Sequence, residues 1–268
     1  MKEIIGSSNR ILQVDLSAKT FRESKISKKD RDMYLGGKGL GLKLLYDRME
    51  PGVDPLGEKN MFVIETGVLL GTGAPCSGRF EAITKSPLTG IMTRSSCGGP
   101  FGMAFKTSGW DTLILMGKAD APIYLVIDSN GVQFKPAEQL WGKNISLVEE
   151  ALLKEGSGSL VIGPAGENLV RYANIRSGRR FLGRGGMGAV LGSKNVKGLV
   201  ARGGEFKIVP VNKKMFSKSN KRFFKYIKKN FVTAGRYREY GTNSSTNIIN
   251  DAGAIPVRNF SDGSHKEV

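Results

Sequence analysis

Alternating apolar and polar residues predict a sheet-rich first part of the chain. Leu12, Val14 and Leu16 are separated by polar residues, which is the pattern of a half-buried strand, and a partner strand is predicted at residues 21–26. The other strands are predicted at residues 61–65, 80–84, 113–115, 123–127, 132–134 and 160–162. Because a short turn at residues 128–131 joins two of them directly, hairpins and antiparallel pairing are expected.

Helical spacing predicts a few helices between these strands. Ser27 opens a short helix that ends at the glycines of residues 36–37, and apolar residues recur every three or four positions over residues 40–49. Ser146 followed by Glu149 has the spacing of a capping box, which predicts a helix that begins at this serine. Strands outnumber helices, so the fold class is α+β, with a mixed, antiparallel-rich sheet domain flanked by helices.

The composition changes near Glu205. Residues 207–229 contain nine Lys or Arg and no acidic residue, and apolar side chains recur on one helical face. These apolar residues are Phe216, Phe223, Ile227 and Phe231. The pattern predicts a basic amphipathic helix outside the sheet domain, followed by a short helix at residues 244–251. We therefore divide the chain into a first domain of residues 1–206 and a helical segment of residues 207–268.

The basic helix leaves more than one partner open. A Lys-rich face attracts phosphate groups, which is compatible with nucleic-acid binding. No RNA-binding motif accompanies the helix, however, and its apolar face is suited to packing on protein. A solvated basic face, or a surface for an acidic partner protein, is therefore favoured over nucleic acid.

Composition limits the chemistry that the chain can perform. It has 268 residues, 40% of them hydrophobic, with a formal charge of +17, two cysteines and one histidine. A disulfide framework and a four-cysteine metal site are excluded, and catalysis by a buried histidine base is not expected because His265 lies near the end of the sequence. No stretch is apolar enough for a signal peptide or a membrane span, so a cytoplasmic protein without membrane contact is expected.

Two glycine-rich stretches carry the candidate chemistry. Residues 183–188 match the GxGxxG spacing, and residues 95–102 contain adjacent glycines. Backbone amides in such loops bind phosphate, and arginines supply the fork that phosphate oxygens match. Arg79, Arg180 and Arg184 form a set for one large, multiply phosphorylated cofactor. The simpler alternative is that the glycines only allow tight turns between strands.

Two other uses of these stretches are not supported. A dinucleotide-binding fold would need a hydrophobic strand before residues 183–188, but the polar run of residues 177–180 occupies that place, and Gly192 would break the helix that follows. Cys97 has no histidine and no evident carboxylate near it in sequence to activate it as a nucleophile. Phosphate binding is therefore retained, and the Rossmann interpretation is rejected.

Six segments, in order, resemble the N-terminal part of the tungsten-containing aldehyde:ferredoxin oxidoreductase family. They are RILQVDL (10–16), GGKGLG (36–41), TGAP (72–75), TKSPLTG (84–90), IGPAGEN (162–168) and GRGGMGAVLGSKN (183–195). The resemblance covers residues 1–204 and continues through residues 240–242 and 256–260. It implies two sheet halves related by a pseudo-two-fold axis, which form the base for a bis-pterin tungsten cofactor (tungstopterin), with molybdenum as the alternative metal.

The resemblance also implies which residues hold this cofactor. The expected contacts are Arg79, Ser96, Gly98, Arg180, Phe181, Gly183 and Arg184. The backbone carbonyls of Ser96 and Phe181 are expected to hold part of the coordination of a magnesium ion (Mg) that bridges the two pterin phosphates. Family members often have Asn at the position of Ser96 and a small residue at that of Phe181, and backbone ligation tolerates the first difference.

Other features of the family are expected to lie outside this chain. In the family, later domains supply the cysteines of a 4Fe–4S cluster, further pterin contacts and the substrate pocket, and neither Cys76 nor Cys97 matches a cluster ligand. A complete member oxidises an aldehyde to a carboxylic acid and passes electrons to ferredoxin. The resemblance therefore implies that this chain is inactive alone.

Two hypotheses about function follow from the resemblance. In the first, the chain is the N-terminal cofactor-binding part of an aldehyde:ferredoxin-type oxidoreductase, with ferredoxin as its partner. In the second, it is a non-catalytic pterin-cofactor scaffold or a subunit of a split enzyme. Such a subunit would pair with a separately encoded C-terminal subunit or form a homo-oligomer, because its apolar surface would need a cover.

Overall fold

The computed structural model describes residues 1–266, which form two compact units, the first of residues 1–211 and the second beginning at Asn212. Two six-stranded sheets and the helices between them make up the first unit, and the second is helical. The expected α+β class with mixed, antiparallel-rich sheets is thus confirmed. None of the helices in the part of the chain that the structure describes is long and apolar enough to cross a membrane.

The first unit begins with β1 (Lys2–Ile5), which pairs in parallel with β14 (Phe206–Val209). The first six-stranded sheet contains β2 (Arg10–Asp15), β3 (Thr20–Lys25), β4 (Phe62–Thr66), β5 (Phe80–Lys85), β6 (Met92–Cys97) and β7 (Thr112–Met116). Its strand order is β3-β2-β7-β4-β5-β6. The β2 and β7 strands are parallel, and every other neighbouring pair in this sheet is antiparallel.

The second sheet repeats this arrangement. It contains β8 (Ile123–Asp128), β9 (Gly131–Pro136), β10 (Gly158–Val161), β11 (Ile175–Ser177), β12 (Arg180–Leu182) and β13 (Val196–Ala201). Its order, read from β9, is β9-β8-β13-β10-β11-β12, with β8 and β13 parallel and the other pairs antiparallel. Each strand of the first sheet thus has a counterpart six strands later, and the two halves have the equivalent topology that the resemblance implied.

Helices occupy matching places in the two halves. The helices of the first unit are α1 (Lys28–Tyr34), α2 (Gly37–Arg48), α3 (Pro100–Thr107), α4 (Ile145–Leu153), α5 (Pro164–Glu167) and α6 (Met187–Ser193). In each half, one helix precedes the third strand (α2 and α4), and another follows the edge strand (α3 and α6). Ser27 caps α1 as predicted, since its hydroxyl accepts from the backbone amide of Asp30 at 3.0 Å.

The core consists of layers because both faces of each sheet are covered. One cluster contains side chains from both sheets, including Leu12, Phe62, Leu125 and Leu160, and fills the space between them. The opposite face of the first sheet packs on α2, and that of the second sheet packs on α4. The order of layers is therefore helix, sheet, sheet, helix, and strands covered on both faces explain the nearly continuous apolar runs.

The second unit contains the predicted basic helix, α7 (Lys213–Lys229), followed by α8 (Tyr237–Tyr240) and α9 (Thr246–Asp251). A π-helical turn lies at Val232–Arg236, and a 3₁₀ turn at Gly241–Ser245 precedes α9. The basic stretch does not start as a helix at residue 207, however, because residues 206–209 form β14. This segment is a strand because it pairs with β1, which lies at the far end of the sequence. The local charge pattern does not indicate this pairing.

The predicted capping box at Ser146 and Glu149 is wrong. The N-cap of α4 is Asn144, whose Oδ1 accepts from the backbone amide of Ser146 at 2.9 Å. Asn is as good an N-cap as Ser, and it comes two positions earlier, so the helix begins before the serine. Glu149 does not reach back to the cap but accepts from the backbone amide of Gly178 at 2.8 Å.

Three buried ionisable side chains and the partly buried Arg31 lie together where β4 ends and β7 begins. Arg31 Nη2 lies 3.1 Å from Asp111 Oδ2, and Arg31 Nη1 lies 3.9 Å from Glu65 Oε1. Lys106 Nζ lies 3.9 Å from Asp111 Oδ1. Burial raises the pKa of Glu65 well above its ordinary value of 4.5, although a hydrogen bond with Thr112 opposes the shift. Burial likewise lowers the pKa of Lys106 to about 8.

The raised pKa of Glu65 predicts how stability depends on pH. Above pH 4.5 the Glu65 carboxyl keeps its proton in the folded chain and releases it in the unfolded chain. Rising pH therefore lowers the free energy of unfolding of the unmodified chain. The Glu65→Gln variant lacks this loss, so we expect its stability relative to the unmodified chain to increase as pH rises above about 4.5. Urea denaturation at several pH values measures this difference.

Glu23→Gln is the matched control with the opposite sign. The hydrogen bond from Arg10 lowers the pKa of Glu23 below 4.5, so this carboxylate adds stability that is lost as pH falls. The Glu23→Gln variant should therefore lose stability relative to the unmodified chain as pH rises towards 4.5. A Glu65→Gln difference that does not change with pH would contradict the assignment of a protonated Glu65.

Candidate cofactor-binding site

The edge strands of the two sheets, β6 and β12, lie side by side. Each stands at one end of the strand order of its sheet, and each leads through glycines into a helix. Across this boundary the backbone amide of Arg184 donates to Ser95 Oγ at 3.3 Å. We call residues 95–99 and 180–186 the shared edge, and it brings the two glycine-rich stretches of the sequence together.

The carbonyl of Ser96 points to the open side of β6. The amide of Ser86 donates to the carbonyl of Ile91 at 2.9 Å, which fixes the alternation of hydrogen-bonded pairs along β5 and β6. In that register Glu81 and Ser96 form a non-hydrogen-bonded pair, so the backbone groups of Ser96 face away from β5. In agreement, Arg79 Nη2 donates to the Ser96 carbonyl at 3.0 Å.

The carbonyl of Phe181 takes the equivalent direction. A two-residue turn joins β11 to β12, so the flanking pair Ser177 and Arg180 is hydrogen-bonded. The next pair, Arg176 and Phe181, is then non-hydrogen-bonded, and the backbone groups of Phe181 face away from β11. Ser96 and Phe181 are both second from the end of equivalent strands. The repeated topology therefore turns two backbone carbonyls towards the shared edge.

One arginine contacts the Ser96 carbonyl, and two more belong to the shared edge. Arg79 also donates through Nε to Ser96 Oγ at 2.9 Å, so its guanidinium contacts both oxygens of this residue. The side chain of Arg180 runs beside Gly98, where an added Cβ would lie 3.7 Å from Arg180 Cγ. Arg184 follows in the next loop, and all three arginines are exposed. Exposed guanidinium groups at one edge form a positive site suited to phosphate oxygens.

The glycines of the shared edge divide into two groups. An added Cβ would lie 2.4 Å from the Ser177 carbonyl at Gly99, and 1.9 Å from the Arg171 carbonyl at Gly186. Close packing alone explains these glycines. Gly183, in contrast, has no atom within 4 Å of an added Cβ, and Gly98 meets only ordinary contacts. Gly98 and Gly183 are the two that were expected to approach the cofactor, and packing does not require a glycine at either.

The ring of Phe181 lies apart from this cluster. It is 47% exposed and lines a cavity of about 470 Å³ together with Asn144, Asn174 and the start of α5. The bulk of the side chain is thus directed into another cavity, while its carbonyl faces the shared edge. A large residue at this position is compatible with cofactor binding through the backbone.

Hard oxygen donors are the metal ligands that this site offers. Within residues 1–266 no group of three or more His, Cys, Asp and Glu side chains could hold a metal ion. Backbone carbonyls such as those of Ser96 and Phe181 are ligands that Mg accepts, usually together with waters and phosphate oxygens. The donor set therefore fits a magnesium ion held jointly by protein and phosphate.

Cys97 is buried at the end of β6, and its thiol donates to the Gly98 carbonyl at 2.9 Å. Burial raises the pKa of this thiol to about 11, although the charges of Arg79 and Arg180 oppose the shift. Cys97 should therefore resist iodoacetamide at pH 8, whereas the exposed Cys76 should react. Mass spectrometry of the folded Cys76→Ser and Cys97→Ser variants after treatment tests this. Rapid labelling of the Cys76→Ser variant, in which Cys97 is the remaining thiol, would contradict it.

Residues 11–203 match the family model described as aldehyde ferredoxin oxidoreductase, N-terminal domain. The chain belongs to this family. It is 41% identical over 97% of its length to the tungsten-containing aldehyde ferredoxin oxidoreductase of Pyrococcus abyssi, of which it covers 44%. It is 30% identical over 96% of its length to the aliphatic sulfonate oxidoreductase, WOR-like subunit, of Pyrococcus furiosus, of which it covers 44%. The chain thus spans less than half the length of these curated relatives.

A solved structure has a similar fold. The active site complex BamBC of benzoyl coenzyme A reductase, in complex with 1,5-dienoyl-CoA, superimposes with a TM-score of 0.78 at 33% identity. The match covers 84% of this chain and 35% of the other. The names of these relatives cover several different reactions, so the aldehyde ferredoxin oxidoreductase family membership of this chain does not fix a substrate.

Several residues around the shared edge were not predicted as part of it. Ser95 connects the two halves through its hydroxyl, and the buried Ser177 Oγ has no hydrogen-bond partner. Glu149 and Arg176 hold the turn before Arg180. The partners of Ser95 and Glu149 are distant in sequence, so no local pattern could reveal these contacts.

Proposed function

We propose that the shared edge binds the two phosphate groups of a bis-pterin tungsten cofactor, with a magnesium ion between them. The chain would then be the N-terminal cofactor-binding part of an aldehyde:ferredoxin-type oxidoreductase. The observation that supports this most strongly is the pair of equivalent carbonyls, Ser96 and Phe181, which face one edge from two topologically identical halves. A cofactor with two similar halves suits a site with two similar halves.

Each group at the shared edge has a distinct task in this proposal. The carbonyls of Ser96 and Phe181 would hold the magnesium ion, which would supply positive charge beside the phosphates. Arg79, Arg180 and Arg184 donate to phosphate oxygens and neutralise their charge. Gly98 and Gly183 let the phosphates approach the backbone amides closely.

The chain's own residues bind and orient; they do not complete a catalytic site. When bound, the tungsten centre, or molybdenum in its place, supplies the redox chemistry that converts an aldehyde to a carboxylic acid. Ferredoxin, in the cytoplasm, is the proposed electron acceptor, and residues other than Cys76 and Cys97 would have to hold the family's 4Fe–4S cluster. We therefore propose that the chain does not oxidise aldehydes alone.

A non-catalytic scaffold, or a subunit of a split enzyme, is the second candidate. It is supported by the relative in Pyrococcus furiosus whose name describes it as a subunit. In both candidates the shared edge has the same task. The scaffold differs from the oxidoreductase because no partner polypeptide makes its bound cofactor active, and the split-enzyme subunit differs because its partner is separately encoded.

Metal and pterin analysis tests for the cofactor, and an activity assay then separates the oxidoreductase from the scaffold. Protein purified anaerobically from its native host, with its partners retained, should contain two pterins and one magnesium per tungsten, together with iron. Aldehyde-dependent reduction of ferredoxin by this preparation supports the oxidoreductase, whereas cofactor without that activity supports the scaffold. Absence of pterin from such a preparation would overturn the proposal that the shared edge is a cofactor site.

A further inference from the structure

A mostly buried ion pair holds the turn between β11 and β12. Glu149, on α4, is 7% exposed, and its Oε2 lies 3.1 Å from Nη2 of Arg176 on β11. Glu149 Oε1 accepts from the Gly178 amide at 2.8 Å, and Arg176 Nε donates to the Gly178 carbonyl at 2.7 Å. The two charged side chains thus hold both backbone polar groups of one turn residue.

The opposite side of the turn lies against the glycine loop of the other half. An added Cβ at Gly99 would lie 2.4 Å from the Ser177 carbonyl, and one at Gly178 would lie 3.0 Å from Pro100 Cδ. Gly178 also has a φ of +58°, which a side chain would strain. The turn is therefore held between α4 on one side and residues 99–100 on the other.

Two residues expected at the cofactor follow this turn directly. Arg180 and Phe181 belong to β12, a three-residue strand that has only β11 as a neighbour in its sheet. So short an edge strand has little rigidity of its own, and its direction depends on how the turn before it is held. The Glu149–Arg176 pair holds the backbone groups of Gly178 in this turn.

We infer that Glu149 and Arg176 are positioning residues of the shared edge, which fix the turn so that the Arg180 guanidinium faces the ligand. The inference rests on the proposed function, because it takes phosphate and magnesium as the ligands. Holding these groups in their bound arrangement beforehand lowers the ordering cost of binding. Arg176 is itself anchored, since its Nη1 donates to Ser146 Oγ at 2.9 Å.

A purely structural role would have a different consequence. The helix α4 already packs on the second sheet through Val148 and Leu152, which are buried among sheet residues, so its docking does not depend on Glu149. If the pair only supported the fold, its loss would weaken contacts of both halves with the ligand to the same extent. If it positions the turn, its loss acts through Arg180 alone.

A double-mutant cycle distinguishes these roles. The full chain is titrated with magnesium pyrophosphate by calorimetry, and circular dichroism confirms that each variant is folded. We expect Glu149→Gln and Arg180→Met each to weaken binding about tenfold. The Glu149→Gln/Arg180→Met double variant should bind only a little more weakly than either single variant, because both changes remove the same contact. In the Glu149→Gln/Arg79→Met double variant, the total loss of affinity should be the product of the two single losses.

The possible results support or overturn the inference separately from the proposed function. The positioning role alone would be overturned if the Glu149→Gln variant bound magnesium pyrophosphate as tightly as the unmodified chain. It would also be overturned if the affinity losses of Glu149→Gln and Arg180→Met multiplied, as those of Glu149→Gln and Arg79→Met should. If the unmodified chain does not bind magnesium pyrophosphate, the proposed function fails and this inference fails with it. If Glu149→Gln does not fold, Arg176→Lys takes its place in the same cycle, since it keeps the charge but loses the fork.

Discussion

Replacing Arg79 and Arg180 together by methionine is expected to weaken the binding of magnesium pyrophosphate by about 100-fold or more. Each guanidinium offers charge-assisted hydrogen bonds to phosphate oxygens, and a hydrogen bond of this kind contributes about 1.5–3 kcal/mol. Arg79 contacts Ser96 through both Oγ and the carbonyl, and Arg180 runs beside Gly98, so the pair covers both halves of the shared edge. Methionine keeps much of the length of each side chain and removes the charge.

Calorimetry on the full chain measures this effect, and Arg238→Met is the control. Arg238 is an exposed arginine of α8 in the second unit and has no part in the proposed site. It should leave the affinity within about twofold at moderate salt, because salt screens an exposed charge that does not contact the ligand. If the double variant binds as tightly as the Arg238→Met variant, phosphate recognition by these arginines is excluded.

Gly186→Ala is expected to lower the free energy of unfolding by at least about 3 kcal/mol, or to prevent folding. The residue has a φ of +69°, and an added Cβ would lie 1.9 Å from the Arg171 carbonyl and 3.0 Å from Pro87 Cγ. Backbone cannot move aside as a flexible side chain can, so the glycine loop and the helix behind it would have to shift. Urea denaturation, or the soluble yield, measures the loss.

Gly183→Ala separates packing from ligand binding in the same loop. No atom lies within 4 Å of an added Cβ at Gly183, so the unfolding free energy should change by less than about 1 kcal/mol. Binding of magnesium pyrophosphate should nevertheless weaken, because the new methyl group occupies space where a phosphate is expected to approach. Equal loss of stability in the Gly183→Ala and Gly186→Ala variants would contradict the open space around Gly183.

Local signals predicted those parts of the fold that depend on neighbouring residues. The hairpin of β2 and β3 follows from strict alternation around Leu12 and Val14, and α1 follows from its cap at Ser27. The strands β11 and β12 were not predicted, because each has three residues and carries an arginine. Pairing across a tight turn forms them, and no alternation of apolar residues is long enough to indicate it.

The assembly of the site could not be predicted from residue patterns because its contacts are distant in sequence. Ser95 and Arg184 meet across two sheets although 89 residues separate them. The two halves share a topology but not a readable sequence repeat, since two glycines lead from β6 to α3 and four residues lead from β12 to α6. Spacing predicted the loops and arginines as phosphate sites, whereas the assignment of Ser96 and Phe181 came from the family resemblance.

The most direct test is a crystal structure of the cofactor-loaded protein with its partners, with the metal located by anomalous scattering at the tungsten edge. We predict a magnesium ion within about 2.0–2.1 Å of the carbonyl oxygens of Ser96 and Phe181. The pterin phosphates should lie within hydrogen-bonding distance of Arg79, Arg180 or Arg184. A tungsten cofactor whose phosphates bind away from the edge formed by β6 and β12 would contradict this account.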